Sequence, residues 1–386
     1  MGSDVKCPTK WKVLSYKEAV IKASISVDKK TKQKDYLATG KLPIIDQGQS
    51  LIGGYSNDMS CAVNCKLPVI VFGDHTKVVK FINFSFGAGA DGIKILQPKE
   101  CLLPKYLFYY TQVLTKCIED KGYARHYQYI EKKNIHYPPL PEQERIVSKI
   151  EELLSNLDAS VAELRTAKER LKMYRQAVLD RAFGKIFTEC KMNKVAQMID
   201  PHPSHRTPSK YLNGIPYIGI GDIDYDSEQI RFSLARTVAP TILSEHLERY
   251  TLSSGDFIMG KIGTIGKPFK LPFPQNYTLS ANVILIQPLK KIIDSDYLYW
   301  QFRSTYVIQQ LTKGASATSQ AAFGIKKARL LNIKVCNLNT QKKIVQEIES
   351  RLSVCDNIEK TVNESLRQAQ ALRQSILKKA FEGKLV

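Results

Sequence analysis

The sequence predicts an α+β chain in which two mixed strand-rich domains are separated by two long antiparallel helices forming an intramolecular coiled coil. A block of residues recurs at a constant offset of 198, apolar residues within each copy recur at helical spacing, and the stretches between copies break into short apolar runs cut by Gly, Pro and Asn.

Residues 1–140 form the first expected domain. KLPIIDQGQSLIGGY and KLPVIVFGDHTKVVKFINFSFGAGADGIKILQP read as strands and turns, and KYLFYYTQVLTKCI, from Lys105, reads as a shorter aromatic helix. Residues 141–185 are the first spacer helix. Its apolar positions are Ile146, Ile150, Leu153, Leu157, Val161, Leu164, Leu171, Tyr174 and Val178, spaced in threes, fours or their sums; Leu140-Pro141 starts it and Gly184 stops it. Residues 186–338 are the second domain, with strands in GIPYIGIGDID, SSGDFIMGKIGTIGKPF and YTLSANVILIQP, and one closing helix in DYLYWQFRSTYVIQQL from Asp296. Residues 339–386 are the second spacer helix, striped by Ile344, Ile348, Leu352, Cys355, Val362, Leu366, Ala369, Leu372, Ile376 and Ala380. Each helix would span roughly 60 Å. A stripe that narrow on a helix that long needs a partner, and the obvious one is its own repeat.

The repeat matches polar residues as well as apolar ones. Gln143 falls on Gln341, Glu151 on Glu349, Asp158 on Asp356, and Arg175-Gln176 on Arg373-Gln374. A shared heptad bias explains matched apolar positions but not these.

Composition narrows the partner. The 386 residues carry 57 Lys and Arg against 37 Asp and Glu, a net charge of +20 spread through both halves. A basic folded surface attracts polyanions. Nucleic acid is favoured over a membrane surface, because the long helices mix Glu and Asp among their lysines and show no basic face with Trp or Phe opposite. No apolar run of about 20 residues occurs, and MGSDVKCPTKWK lacks the apolar core of a signal peptide, so the cytoplasm is expected. The eight cysteines are irregularly spaced and read as reduced thiols.

Motifs for chemistry are weak. GAGADG at Gly87 fits a dinucleotide fingerprint, but IKILQP after it alternates like a strand where a helix is required; a glycine-rich hairpin turn is expected. GKIGTIGKP has the wrong glycine spacing for a phosphate loop and Pro268 where Ser or Thr should bind magnesium. Cys61 and Cys65 with His75 form only part of a zinc set. YPPLPEQ has the Pro-Pro of adenine methyltransferases but Tyr and Leu where Asn or Asp and an aromatic should stand. No hydrolytic or nuclease constellation is present, and no metal or cofactor is expected on this chain.

Reading residues are easier to find. GDHTKVV and GYARHYQYIEKKN place Asp74, His75, Thr76, Lys77, Tyr123, Arg125, His126, Tyr127, Gln128 and Tyr129 on loops. MGKIGTIGK and SATSQ place Lys261, Thr264, Ser316, Thr318, Ser319 and Gln320 in the second domain, with GIGDID and SAN similar in type. These side chains suit base edges and phosphates. Any one such segment reads equally as a solvated loop or a strand-end hydrogen bond; the set is the stronger signal.

These residues resemble the specificity (S) subunits of type I restriction-modification enzymes, over essentially the whole chain. The resemblance rests on PPLPEQERIV, LRQSILKKAFEGKL, GIPYIGIGDID with SSGDFIMGKIGTIG, and on DQGQSLIGGY, VIVFGDHTKVVKF, ADGIK and GYARHYQY, which look like one recurrent type of target-recognition domain. It implies a non-catalytic subunit that reads a bipartite, asymmetric stretch of double-stranded DNA, one half-site per domain. It also implies that two methyltransferase (M) subunits dock on the helices, for which Gln143, Arg145, Arg175, Gln176, Gln341, Lys343, Arg373 and Gln374 are the candidates. S-adenosylmethionine, ATP and magnesium would belong to the M subunits and to restriction (R) subunits. One departure is VCNLNTQKKIV, which enters the second helix without PPLPEQ. Two other functions compete: a stand-alone nuclease or DNA methyltransferase, and a coiled-coil scaffold for RNA or another polyanion.

Overall fold

The computed structural model describes residues 10–386 apart from 27–28, 90–91, 119–121, 123, 185–186, 203, 205, 226, 262–264 and 315–322. The chain divides into two compact units, one of Met1–Arg165 with Asn363–Val386 and one of Thr166–Val362. Among the described residues no helix is long and apolar enough to cross a membrane.

The first unit runs β1 (Lys12–Ser15), α1 (Tyr16–Ala19), β2 (Val20–Ala23), β3 (Leu42–Ile45), β4 (Gly54–Ser56), β5 (Val69–Gly73), β6 (Val79–Ile82), β7 (Gly87–Ala88), β8 (Ile93–Pro98), α2 (Pro104–Lys116), α3 (Tyr127–Ile130) and β9 (Asn134–Tyr137) into the long helix α4 (Leu140–Phe183). β5 is buried along its whole length, which is why VIVFG is a continuous apolar run rather than an alternating one. It sits inside an antiparallel sheet of order β2-β8-β5-β6. A second sheet, β4-β3-β7, pairs β3 with β7 in parallel through Ile44↔Gly87 and Ile45↔Ala88, and β1 pairs with β9.

The second unit continues with β10 (Thr188–Lys191), β11 (Ala196–Ile199), β12 (Ile215–Ile218), β13 (Ile223–Asp224), β14 (Gln229–Ile230), β15 (Arg236–Val238), α5 (Pro240–Arg249), β16 (Phe257–Gly260), β17 (Pro268–Lys270), β18 (Thr278–Leu279), β19 (Val283–Pro288), α6 (Ser295–Phe302), α7 (Thr305–Gly314), α8 (Ile325–Ala328) and β20 (Asn332–Val335) into α9 (Leu338–Phe381). Its sheets are β11-β19-β16-β17, β15-β12-β18 with β12 parallel to β18, and β10-β20. Strand for strand this is the plan of the first unit, with the β13-β14 hairpin and α5 added. The repeat visible in the helices therefore extends through domains whose sequences have diverged.

Two expectations are corrected. GAGADG is not a hairpin turn, because β7 and β8 belong to different sheets. A Cβ at Gly87 would stand 2.6 Å from Ile44 Cδ1, so a larger residue there would require that side chain to move. The aromatic segment after Asp294 is two helices, because the Asp180 carboxylate caps a new start at Thr305. Thr305 N–H donates to Oδ1 at 2.9 Å and its hydroxyl to Oδ2 at 2.8 Å.

The long helices run antiparallel within each unit. In the first unit Ile146, Val147, Ile150 and Leu154 of α4 share a core with Ile376, Leu377, Ala380 and Phe381 of α9. In the second, Ile344, Val345, Ile348 and Leu352 share one with Val178, Leu179 and Phe183. Every one of these α4 residues has its counterpart 198 positions on. The matched charges also pair: Arg373 with Asp158 in the first unit, and Arg175 with Asp356 at 2.5 Å and Glu359 at 2.8 Å in the second.

Candidate nucleic-acid interface

In the first unit three loops meet at one end of the β5-β8 ladder. Asp74, leaving β5, donates its N–H to Gly92 O at 2.6 Å on the approach to β8, and its carbonyl accepts His126 N–H at 2.8 Å from the turn before α3. Its carboxylate accepts Tyr127 N–H at 2.8 Å, and Lys94 stands 3.8 Å away. Gln47, just beyond β3, binds the same cluster: its carbonyl accepts the Thr76 hydroxyl at 2.7 Å and its side-chain oxygen accepts His75 N–H at 3.3 Å. Gly92, at φ +73°, lies against that side chain, where a Cβ would be 2.8 Å from Oε1.

The second unit builds the same junction from other residues. Lys261, leaving β16, donates its N–H to Asn282 O at 2.9 Å, and its carbonyl accepts Phe323 N–H at 2.9 Å. Asp74, Gly92 and His126 thus have Lys261, Asn282 and Phe323 as topological counterparts. Lys261 Nζ pairs with Asp200 at 2.8 Å, and Asn282 Oδ1 accepts Ile220 N–H at 3.4 Å and the Ser280 hydroxyl.

Several expected readers are therefore scaffolding. Asp74, His126 and Tyr127 are buried. The His126 ring donates from Nδ1 to Asp74 O at 3.0 Å. Tyr127 packs against Phe72 and Tyr16 with Lys22 Nζ 4.5 Å from its ring centroid, and burial pushes its hydroxyl pKa up. The Asp74 carboxylate and His126 Nδ1 are thus spent on backbone partners, and the His126 Nε2 and Tyr127 hydroxyl are buried without a partner among the described residues. Thr76, Arg125 and Gln128 are exposed, while His75, Lys77, Tyr129 and Lys261 are half-buried. Tyr123, Thr264, Ser316, Thr318, Ser319 and Gln320 lie outside the described residues.

The docking candidates divide the same way. Gln143 is 0% exposed; its side-chain oxygen accepts Leu103 N–H at 2.9 Å and its amide donates to Cys101 O at 2.9 Å and Pro138 O at 2.8 Å. Gln341, also 0% exposed, accepts Asp294 N–H at 2.7 Å and donates to Ile292 O at 3.1 Å and Cys336 O at 2.7 Å. Each glutamine clamps a helix to the segment preceding the aromatic helix of its own unit, so neither presents a side chain to a partner. The clamp survives the missing PPLPEQ because Asn337 caps α9 instead, accepting Thr340 N–H at 2.9 Å. Arg175 and Arg373 are engaged by carboxylates of the other helix, and Gln176 bonds Asp180 at 3.1 Å and Thr305 at 3.0 Å. Arg145, Lys343 and Gln374 are exposed.

Charge is partitioned between these parts. Residues 1–139 hold 21 basic and 12 acidic residues, a surplus of nine, and residues 184–337 hold 19 and 11, a surplus of eight. α4 holds eight of each. Residues 338–386 hold nine and six, so most of the polyanion-attracting surplus lies on the strand-rich bodies.

The second unit also contains a buried histidine pair linking the 200–206 segment, α5 and β18. His202 Nε2 faces Arg206 O at 2.8 Å and so carries the proton; its Nδ1 accepts from His246 Nε2 at 2.9 Å, and His246 Nδ1 accepts from the Thr278 hydroxyl. Burial, then the neighbouring His202 and Arg249, lower the His246 pKa to about 4. Among the described residues no group of three or more His, Cys, Asp or Glu could hold a metal ion.

Two junctions of one design, on two bodies of one topology, define an internally duplicated two-domain protein. The chain belongs to the type I restriction modification DNA specificity domain family, whose model matches residues 8–169 and 204–368. It is 26% identical over 275 residues to the type I restriction enzyme EcoBI specificity subunit of Escherichia coli, covering 64% of this chain and 57% of that protein. It is also 26% identical over 376 residues to the EcoR124I/EcoR124II specificity subunit of Escherichia coli, covering 89% and 86%. The chain thus spans less than two thirds of the EcoBI subunit. In fold it is similar to the HsdS subunit from Thermoanaerobacter tengcongensis, at 16% identity and a TM-score of 0.54 over 98% of both chains. It is closer to a chain from a study of complex assembly and conformational transition of the type I R-M system, with a TM-score of 0.73 and 16% identity over 98% of this chain and 100% of that one.

The sequence reading missed Gln47 and Asn282 as organisers of the junctions. For Gln47 the available signal was its place in DQGQS at a strand exit, beside glycines that could admit a close neighbour.

Proposed function

We propose that this chain is the DNA-recognition subunit of a type I restriction-modification system, reading a bipartite asymmetric target with one half-site per unit. The observation that carries the reading is the duplicated loop junction, set on bodies with surpluses of nine and eight positive charges and joined by a charge-balanced helix. Within it, the exposed Thr76, Arg125 and Gln128 face solvent from the first junction, while different residues occupy the second. Unlike side chains on like frames suit two unlike half-sites.

Catalysis belongs to partner subunits in this reading. Two methyltransferase subunits dock on the helices, on faces including Arg145, Lys343 and Gln374, and they bind S-adenosylmethionine; restriction subunits use ATP and magnesium. The complex acts in the cytoplasm. The test is to express the chain with its methyltransferase subunits and map methylated adenines genome-wide. A two-part motif with an unread gap is the expected result. Methylation by the chain alone, or no shared motif, overturns the proposal.

A further inference from the structure

Arg206, Lys210, Arg231 and Arg236 are all exposed on the second unit. The segments 206–221 and 229–244 that carry them contain no Asp or Glu, although the stretch between them carries Asp222, Asp224, Asp226 and Glu228. They are neighbours in the fold. β12 pairs antiparallel with β15 through Tyr217↔Arg236, and Tyr211 N–H donates to Thr237 O at 2.9 Å. Two of the guanidinium groups are held in place by backbone rather than by acids: Arg231 donates to Gly221 O at 2.8 Å and Arg236 to Pro208 O at 3.1 Å. None of the four makes an ion pair with another described residue. Some other cations of this unit are paired, as Lys261 is by Asp200 and Arg175 by Asp356. A guanidinium has five donors, so one bond to a carbonyl orients it while leaving the rest for an anion.

The patch is continuous with the junction described above. Arg231 grips the turn at Gly221, whose neighbour Ile220 donates to Asn282, and Asn282 O in turn accepts Lys261 N–H. Four exposed cations with no ion pair among the described residues, two of them pre-oriented, beside that junction match a chain of regularly spaced anions. We propose that the β12-β15 edge of the second unit, with Arg206, Lys210, Arg231 and Arg236, grips the DNA phosphodiester backbone next to the second half-site. This rests on the DNA-reading proposal. It adds a surface that positions the duplex without reading its sequence.

The test uses the full chain assembled with its methyltransferase subunits, binding a duplex that carries its mapped target, between about 50 and about 200 mM salt. Arg231→Gln with Arg236→Gln should lower the slope of log affinity against log salt by about 1.8, or 0.9 for each lost phosphate contact. Preference for the target over a scrambled duplex should be unchanged. Arg231→Lys with Arg236→Lys keeps the charge and should keep the slope. Lys210→Gln, at an exposed position, should lower it by about 0.9 without risk to the fold. An unchanged slope in the glutamine variants overturns the inference, as does failure of those variants to assemble with the methyltransferase subunits, which would mark a protein interface. If the unsubstituted complex shows no preference for any target, the DNA-reading proposal itself fails and this surface with it.

Discussion

Replacing Gln143 by Leu should destabilise the first unit and leave the second untouched. The substitution keeps side-chain volume but strands three backbone groups: the Leu103 N–H and the carbonyls of Cys101 and Pro138. Each buried group without a partner costs about 1 to 3 kcal/mol, and burying a leucine in place of an amide returns about 1 kcal/mol, so for the three groups a net loss of about 2 to 8 kcal/mol is expected. Gln341→Leu should cost the second unit the same, because its three bonds match in kind and length. The two tryptophans separate the units: Trp11 lies in the core of the first, and Trp300 packs against the core of the second. In a Trp300→Phe background, urea unfolding followed by Trp11 fluorescence should lower its midpoint by about 1 M or more in Gln143→Leu. In a Trp11→Phe background the same substitution should leave the Trp300 transition in place. A shift below about 0.2 M in the first background, or equal shifts in both, refutes the clamp.

The histidine pair gives the second unit a pH dependence. His246 resists a proton that the unfolded chain accepts near its ordinary value of 6.5, so its contribution is complete above that pH and is lost as pH falls towards about 4. The loss should approach about 3 kcal/mol on Trp300 fluorescence, and a His246→Asn variant should flatten it; a profile level from pH 7 to about 4 refutes the assignment. In the first junction, Asp74→Ala should cost about 1 to 3 kcal/mol by leaving Tyr127 N–H unpaired in the buried turn, whereas Asp74→Asn retains an acceptor and should cost under about 1 kcal/mol, both measured on Trp11 fluorescence.

The helices were legible because a long amphipathic segment is specified by local spacing, and the constant offset between copies added long-range information. The role of the matched polar residues was not. Gln143 and Gln341 repeat on helix starts, where an amide reads as surface. Their burial follows from carbonyls at Cys101 and Ile292, 42 and 49 residues upstream, which no local pattern links to them. Asp74, His126 and Tyr127 were misread for a related reason. Their loops converge, and the backbone donors and acceptors brought together there have to be satisfied internally, which takes polar side chains out of solvent. The common topology of the two domains was hidden because strand order is kept by alternation and burial, which many residues satisfy equally well.

The division of the chain into units also sets a timetable for synthesis. The second unit is one continuous stretch, Thr166–Val362, whereas the first needs Asn363–Val386 as well. Phe381 completes its aromatic core, with ring centroids 4.7 Å from Tyr110 and 5.1 Å from Tyr106. At about 5 to 20 residues per second, the strands of the first unit wait roughly 10 to 40 s for that closing helix while the ribosome makes the second. The half translated first is thus the half finished last. A ribosome stalled after Val362 would release a whole second body beside a first one lacking the lid of its core.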